Sequence, residues 1–139
     1  MRKISLIILF VLITTVISAC SAGTNQQAEI MGDPEEGRLV YENKQRIRCD
    51  HCHTMDGTDL RGGPSLLGIS ERAGERVPGM SAVEYLEQSL LEPNAYIVEG
   101  SEYEMKAYQV VDPQEVDFML PGMLTQEEMD DLIAFLMTQ

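Results

Sequence analysis

The sequence predicts an all-α fold of three to four short helices joined by long loops. Signals that start a helix recur along the chain, and each is followed by apolar residues at helical spacing. No run of residues alternates regularly enough to predict a strand. The segments 55–80 and 94–122 are rich in Gly and Pro and predict long loops. Because so few helices give a small core, we expect a large apolar group to fill the centre.

Three helices are predicted from their first residues. Asp33 can cap a helix that runs to about Ile47, since a proline and two glutamates follow it. Residues Ser81–Glu84 form a capping box for a second helix, which Pro93 limits. Residues Thr125–Glu128 form another capping box, for the last helix. One apolar stripe follows at helical spacing, made of Met129, Leu132, Ile133 and Leu136.

Residues 1–19 have the layout of a secretory signal peptide: a positive start, an apolar run and small residues at the end. The run is too short for a helix that spans a bilayer. Cys20 follows a small residue and resembles the lipobox of bacterial lipoproteins, in which that cysteine is acylated. We therefore expect a lipid-anchored tether over 20–32 and a domain over 33–139, on the extracytoplasmic (periplasmic) face of a bacterial membrane. The alternative is an uncleaved membrane anchor.

The chain has a formal net charge of −13. Such a protein repels phosphates, which excludes nucleic acid as a partner. The acidic excess is uneven: residues 81–139 contain 13 acidic residues and one basic residue, whereas residues 37–80 contain six acidic and seven basic residues. Part of this excess is what an ordinary solvated surface carries. Because opposite potentials steer encounters between proteins, we expect partners with basic docking surfaces.

The segment 48–54 contains the motif C-x-x-C-H, whose members are Cys49, Cys52 and His53. This is the attachment signature of c-type haem. On a helical turn, positions i, i+3 and i+4 share one face, so both thiols can reach one porphyrin edge while the imidazole lies under the iron. We therefore expect one covalent haem c, with thioether bonds to both cysteines and with His53 as an axial ligand of the iron.

Three other uses of these cysteines compete with haem attachment. Structural zinc usually needs a second pair of ligands well apart in sequence, and no Cys or His follows His53. A thioredoxin-like dithiol needs a βαβ context, which the helical pattern does not provide. A disulfide between Cys49 and Cys52 suits an oxidising compartment, but it would not fill the centre of the fold.

The second axial ligand follows in part by elimination. His51 lies inside the attachment turn and cannot reach the other haem face, so a methionine is the next common ligand. Met55 is too close to the turn, and Met129 and Met137 belong to the last helix. The elimination leaves four candidates open, which are Met80, Met105, Met119 and Met123.

Further motifs share a known pattern with one family. They are Gly37 and Tyr41 four residues apart in the first helix, Thr54 after C-x-x-C-H, Gly-Pro-Ser-Leu-Leu-Gly at 63–68, and Leu-Ile-Ala-Phe-Leu at 132–136. With these motifs, nearly all of residues 32–139 resembles the class I cytochromes c. The resemblance implies the fold of that family, in which three to four helices and long loops are wrapped around one haem.

The resemblance also implies roles for individual residues. Pro64 would offer its backbone carbonyl to the imidazole of His53. Such a hydrogen bond fixes the orientation of the ring and tunes the metal. Phe135 would pack across Gly37, whose lack of a side chain permits a close crossing of the first and last helices.

By the same resemblance, the distal ligand is Met119. The family's methionine usually precedes a proline and lies some six residues before the threonine that starts the last helix. Met119 lies six residues before Thr125. Two departures keep Met105 and Met123 as alternatives, because a leucine separates Met119 from the proline and the segment 94–118 is longer than in minimal members.

The resemblance implies electron transfer by a haem with His/Met ligation, and not enzymatic catalysis. The chain would be a membrane-tethered carrier or a cytochrome subunit of a respiratory or photosynthetic complex. The expected partners are a quinol-oxidising complex, an oxidase or a reaction centre. Residues 77–81 and 92–96 are also similar to cytochrome c subunits of bacterial respiratory complexes. The alternative is a haem protein with an open distal site, for gas sensing or peroxidase-like chemistry.

Overall fold

The structure is a computed structural model that describes residues 30–60, 62–101, 104–118 and 121–139, without the side chains of 116–118. In these residues the fold is mostly helical, as predicted. The α-helices are α1 (Pro34–Tyr41), α2 (Cys49–Cys52), α3 (Ile69–Arg76), α4 (Ala82–Leu91) and α5 (Gln126–Leu136). The other described elements are the 3₁₀ turns Pro93–Ala95 and Pro113–Phe118 and the strands β1 (Gln109–Val111) and β2 (Met123–Thr125). The predicted signal peptide and Cys20 lie outside the described residues, and none of the described helices is long and apolar enough to cross a membrane.

Helices α1 and α5 cross at a close contact. Gly37 of α1 lies against the backbone of Asp131, and a Cβ atom at this glycine would overlap that backbone. Phe135 lies beside the same point, and its ring centroid is 5.6 Å from that of Tyr41. The predicted packing of Phe135 across Gly37 is therefore confirmed. The amide of Asp33 donates to the buried carboxylate of Asp131 at 2.6 Å, which fixes the start of α1 on α5.

The helix starts predicted from the sequence are confirmed. Asp33 caps α1 by accepting the amide of Glu35 at 2.8 Å. The capping boxes that begin at Ser81 and Thr125 are both complete: the cap hydroxyl accepts an amide three residues on, and the glutamate there accepts the amide of the cap. Each cap satisfies donors that the first turn of a helix leaves unpaired.

Helix α1 ends at Tyr41, well before the predicted end at Ile47. The side chain of Asn43 accepts the amides of Gln45 and Arg46 at 3.1 and 3.0 Å. These bonds replace the helical hydrogen bonds with a local turn. The predicted boundary at Ile47 is therefore wrong, and the chain reaches α2 through this turn.

Two kinds of element lie in segments that the sequence predicts as loops. Helix α3 lies within 55–80 and buries only Ile69 and Ala73, so its apolar stripe is too short to stand out in the sequence. Strand β1 lies within 94–122 and pairs in parallel, over three residues, with β2, which directly follows that segment. Such short strands show no alternating pattern.

The buried core gathers apolar side chains from four of the helices. They come from α1, α3, α4 and α5, together with β2 and with Ile47 of the turn before α2. A cavity of about 1030 Å³ lies against this core, and four leucines belong to both the core and the cavity wall: Leu86, Leu90, Leu132 and Leu136. The cavity agrees with the expectation that a large apolar group fills the centre of the fold.

Candidate functional site

The motif cysteines and histidine lie on one short turn beside the cavity. Helix α2 consists of Cys49–Cys52, and the amide of His53 donates to the carbonyl of Cys49 at 2.9 Å. Cys49, Cys52 and His53 all line the cavity. Arg48, just before the turn, has φ 58°, the only positive φ of a non-glycine residue in the described part of the chain. This conformation costs about 1 kcal/mol, so the surrounding contacts must hold it.

The imidazole of His53 is held from its Nδ1 side. Nδ1 lies 2.8 Å from the carbonyl oxygen of Pro64. A carbonyl can only accept, so Nδ1 carries the proton and Nε2 presents its lone pair. A Cβ atom at Gly63 would overlap the same ring, so only glycine fits there. The hydrogen bond that the resemblance implies for Pro64 is present, and it leaves Nε2 as the nitrogen that can ligate a metal.

The two motif cysteines are half-buried free thiols. Burial raises the pKa of the Cys49 thiol to about 11, although the nearby hydroxyl of Tyr108 lowers it in part. A thioredoxin-like dithiol needs a thiolate at neutral pH and therefore a lowered pKa. The environment of Cys49 is the opposite of that pattern, and it suits a thiol kept beside an apolar group.

The cavity has the size and the chemistry for a porphyrin. Its volume of about 1030 Å³ is at the upper end for small-molecule sites. Its walls come from all five α-helices, from residues 46–48, from the loop after α2 and from the segments 93–109 and 121–123. One carboxylate, Glu104, is among the described lining residues, against four basic side chains: Arg46, Arg48, Arg76 and Lys106. A large apolar group with acidic substituents therefore fits these residues.

The loop between α2 and α3 is built on side-chain hydrogen bonds. The buried Ser65 donates its hydroxyl to the carbonyl of Thr54 at 3.2 Å and accepts the amide of Gly57 at 3.0 Å. Arg72 of α3 donates to the carbonyl of Ser65 at 2.9 Å. These bonds fix the loop that carries Pro64. Sequence reasoning missed Ser65 and Arg72, because hydrogen bonds of this kind leave no local pattern.

Two tyrosine hydroxyls hold the two ends of the attachment turn. Tyr41 of α1 donates to the carbonyl of His53 at 2.7 Å, and Tyr108 donates to the carbonyl of Ile47 at 2.9 Å. Burial raises the pKa of both phenols, so both stay protonated at neutral pH and can donate. Sequence reasoning placed Tyr41 in a packing motif and missed Tyr108, whose partner lies 61 residues away in the chain.

The candidate distal methionines differ in their position. Met105 and Met123 are half-buried and line the cavity. Met80 packs against the core and is not one of the described residues that line the cavity. Met119 lies outside the described residues, so its role as distal ligand stays a prediction. Pro121, close to it in the chain, lines the cavity.

The chain is similar to a known protein family and to individual proteins of known name. Residues 34–139, most of the chain, match the family model described as "Cytochrome c". The chain is 40% identical over 48 residues to "Cytochrome c 2.1" of Caenorhabditis briggsae, and 33% identical over 78 residues to "Cytochrome c 2.1" of Caenorhabditis elegans. The two matches cover 34% and 48% of this chain, and 39% and 67% of those relatives.

Proposed function

Because the chain belongs to the cytochrome c family, we propose that it carries single electrons by a haem ligated through His53 and Met119. Haem c is the covalent cofactor of this family, and Cys49 and Cys52 are the cysteines that bind it here. The proposal depends on the 2.8 Å contact between His53 Nδ1 and the carbonyl of Pro64, at the wall of a cavity of about 1030 Å³. When bound, the haem supplies an iron that cycles between the ferrous and ferric states.

The chain's own residues tune that iron. The carbonyl of Pro64 holds His53 in one orientation and leaves Nε2 free to bind the iron. The leucines of the cavity wall exclude water, which disfavours the extra positive charge of the oxidised state. A methionine ligand acts in the same direction. We therefore expect a positive reduction potential, and a measured value well below zero would count against His/Met ligation.

Met119 is the proposed distal ligand, with Met105 and Met123 as the alternatives. The proline that follows it at Pro121 lines the cavity, which supports this choice. The test replaces each methionine by alanine and records the red-end sulfur-to-iron absorption band of the oxidised protein. Met119→Ala should abolish the band, and Met80→Ala is the matched control, because Met80 packs on the core away from the cavity wall. Retention of the band in Met119→Ala would overturn this choice.

We propose that Cys20 is lipid-modified and tethers the domain to the extracytoplasmic, periplasmic face of a bacterial membrane. The signal-like layout of residues 1–19 supports this localisation. The described chain begins beside α5, where Gly32 packs against the backbone of Asp130, so a tether would leave the domain on that side. The wild-type protein should fractionate with membranes, and Cys20→Ser should release it. Wild-type holoprotein in the soluble fraction would contradict the anchor.

The proposed partners are redox proteins with basic docking surfaces, such as a quinol-oxidising complex, an oxidase or a reaction centre. Exposed carboxylates on α1 and α5 support this, namely Glu35, Glu36 and Glu127. A free carrier that is steered by charge should dissociate from its partner at high salt. A fixed cytochrome subunit should remain bound. Co-purification from membranes at low and high salt separates these two versions.

The proposed function is tested by visible spectra of the membrane-extracted protein and by a haem stain after denaturation. The protein should show reversible reduction and should retain the stain in denaturing gels. His53→Ala should keep the stain, because both thioethers remain, but lose the normal spectrum. Rapid carbon monoxide binding by the resting reduced protein would favour the open distal site instead. A protein without any visible spectrum would overturn electron transfer by haem.

A further inference from the structure

One peptide group joins the proximal histidine to a carboxylate on the loop between α2 and α3. It is the group formed by the carbonyl of Pro64 and the amide of Ser65. The carbonyl oxygen lies 2.8 Å from Nδ1 of His53 and accepts its proton. The amide donates to the carboxylate of Asp59 at 2.8 Å. The chain therefore places an imidazole and a carboxylate at the two ends of a single peptide group.

A peptide group carries polarisation from its amide to its carbonyl. Its C–N bond has partial double-bond character, so the two ends share one delocalised system. A carboxylate that accepts the amide proton makes a charge-assisted hydrogen bond and moves electron density toward the carbonyl oxygen. That oxygen then accepts more strongly from the imidazole of His53. A stronger hydrogen bond at Nδ1 makes Nε2 a more basic ligand for a metal.

We propose that Asp59 is a positioning residue for His53, whose charge reaches the imidazole through the Pro64–Ser65 peptide group and favours the ferric state of the iron. The inference rests on the ligation by His53 proposed above. A more basic imidazole stabilises the higher charge of ferric iron. Asp59 therefore acts against the methionine ligand and the dry cavity wall, which favour the ferrous state. It sets the reduction potential below the value that those two would give.

A second carboxylate on the same loop lacks this connection. Asp56 and Asp59 are both exposed, so water and salt screen the long-range field of either charge. The carboxylate of Asp56 accepts the amide of Thr58 at 2.9 Å and has no described hydrogen bond to the Pro64–Ser65 peptide group. The two aspartates therefore separate an effect that passes through the peptide group from an effect of charge alone.

Other hydrogen bonds hold the Pro64–Ser65 peptide group when Asp59 is changed. The hydroxyl of Ser65 donates to the carbonyl of Thr54 at 3.2 Å. Arg72 of α3 donates to the carbonyl of Ser65 at 2.9 Å. Neither bond involves Asp59, so a variant that only removes its charge should leave the carbonyl of Pro64 in place.

The test measures the ratio of ferrous to ferric protein at one fixed applied potential, in the mature holoprotein and in variants. Asp59→Asn keeps an oxygen that can accept the amide of Ser65 but removes the charge, and Asp59→Ala removes both. Asp56→Asn and Asp56→Ala are the matched controls. They remove the same charge from the same loop without changing a partner of the Pro64–Ser65 peptide group.

Both Asp59 variants should raise the ferrous-to-ferric ratio about threefold, because a charge-assisted hydrogen bond is about twice as strong as a neutral one. Both Asp56 variants should change it by less than about 1.5-fold, because their charge is screened. An equal rise in Asp56→Asn and Asp59→Asn overturns the inference, since charge alone would then explain it. An unchanged ratio in Asp59→Asn also overturns it, whatever Asp59→Ala does.

A second measurement observes the imidazole directly. In nuclear magnetic resonance spectra of the reduced holoprotein, the proton on Nδ1 of His53 should move upfield in Asp59→Asn, because its hydrogen bond weakens. Asp56→Asn should leave this resonance in place. A changed ratio in Asp59→Asn with an unmoved resonance overturns transmission through the peptide group.

The failure of this inference can be told from the failure of the proposed function. A wild-type protein without a visible spectrum, or a normal spectrum in His53→Ala, overturns ligation by His53 and this inference with it. A haem protein that loses its normal spectrum in His53→Ala, but whose potential ignores Asp59, leaves the proposed function standing. That result overturns the role of Asp59 alone.

Discussion

The two sides of the cavity are built in different ways. The proximal side, residues 47–68, fixes its loop by hydrogen bonds between residues close in sequence. The hydroxyl of Ser65 makes two of them, with Thr54 and Gly57, and its amide donates to the carboxylate of Asp59 at 2.8 Å. The distal side, residues 93–125, consists of two 3₁₀ turns and two three-residue strands in its described part. Its apolar residues include Ile97, which is 55% exposed.

The difference separates preformed parts of the site from parts that depend on remote support. His53 is held at its ring by Pro64 and at its carbonyl by Tyr41, so the proximal ligand is oriented by the polypeptide itself. Ligands that are locked in this way bind with little rearrangement. On the distal side, the segments that contain β1 and β2 are held by a few bonds between residues far apart in sequence, such as that of Tyr108 to Ile47. We therefore expect substitutions on the proximal side to lower the stability of the holoprotein more than matched substitutions on the distal side.

The largest effect is expected when the haem, which would join the proximal and distal sides of the cavity, is lost. The double variant Cys49→Ser, Cys52→Ser removes both thioether bonds. Without haem, the leucines of the cavity wall lose their apolar packing partner and are exposed to water, a large loss against the about 5–15 kcal/mol that stabilises a domain. The variant should lack haem in a denaturing stain and lack native helicity by circular dichroism. A folded, stain-free domain would show that the polypeptide alone holds both sides.

The next effect compares glycines on the two sides. Gly63→Ala should destabilise the holoprotein by about 2 kcal/mol, because the added Cβ overlaps the ring of His53. A Cβ atom at Gly100 would meet no atom within 4 Å, but an alanine there has to adopt φ 90°. Gly100→Ala should therefore lower the stability by about 1 kcal/mol. Urea denaturation measures both. An equal or larger loss in Gly100→Ala would break the contrast between the sides.

A smaller effect compares serines. Ser65→Ala leaves the amide of Gly57 without its acceptor, and should cost about 1–2 kcal/mol. Ser101→Ala, on the distal wall of the cavity, removes a hydroxyl with no hydrogen bond to a described residue, and should stay within about 0.5 kcal/mol. The denaturant midpoints of the two variants give both losses of unfolding free energy, provided that the dependence of this free energy on denaturant concentration is unchanged. Similar losses in the two variants would mean that the loop does not depend on its hydrogen bonds.

The smallest effect is a pH dependence on the proximal side. The amide of Thr58 donates to the carboxylate of Asp56 and lowers its pKa. The carboxylate therefore stabilises the fold above its unfolded pKa, and this contribution is lost as the pH falls through the lower folded pKa. Asp56→Asn should melt slightly below the wild type near neutral pH. The difference in melting temperature should vanish in strong acid, and a constant difference would refute the assignment.

Local patterns could be predicted from the sequence, and remote contacts could not. The capping boxes at Ser81 and Thr125 are confirmed, because a cap is a bond between residues close in sequence. The crossing of Gly37 with Phe135 followed from family resemblance. The early end of α1 was missed because one side chain, Asn43, competes with the helix. The bond of Tyr108 to Ile47 joins residues 61 positions apart, and no local pattern shows it.

The most direct test of the account is the intact mass of the mature protein, made in cells that attach haem and measured under denaturing conditions. Thioether bonds at Cys49 and Cys52 survive denaturation, so the polypeptide should carry the added mass of one haem. The bare polypeptide mass would contradict the account, since neither side of the cavity would then have the group that it is built to hold.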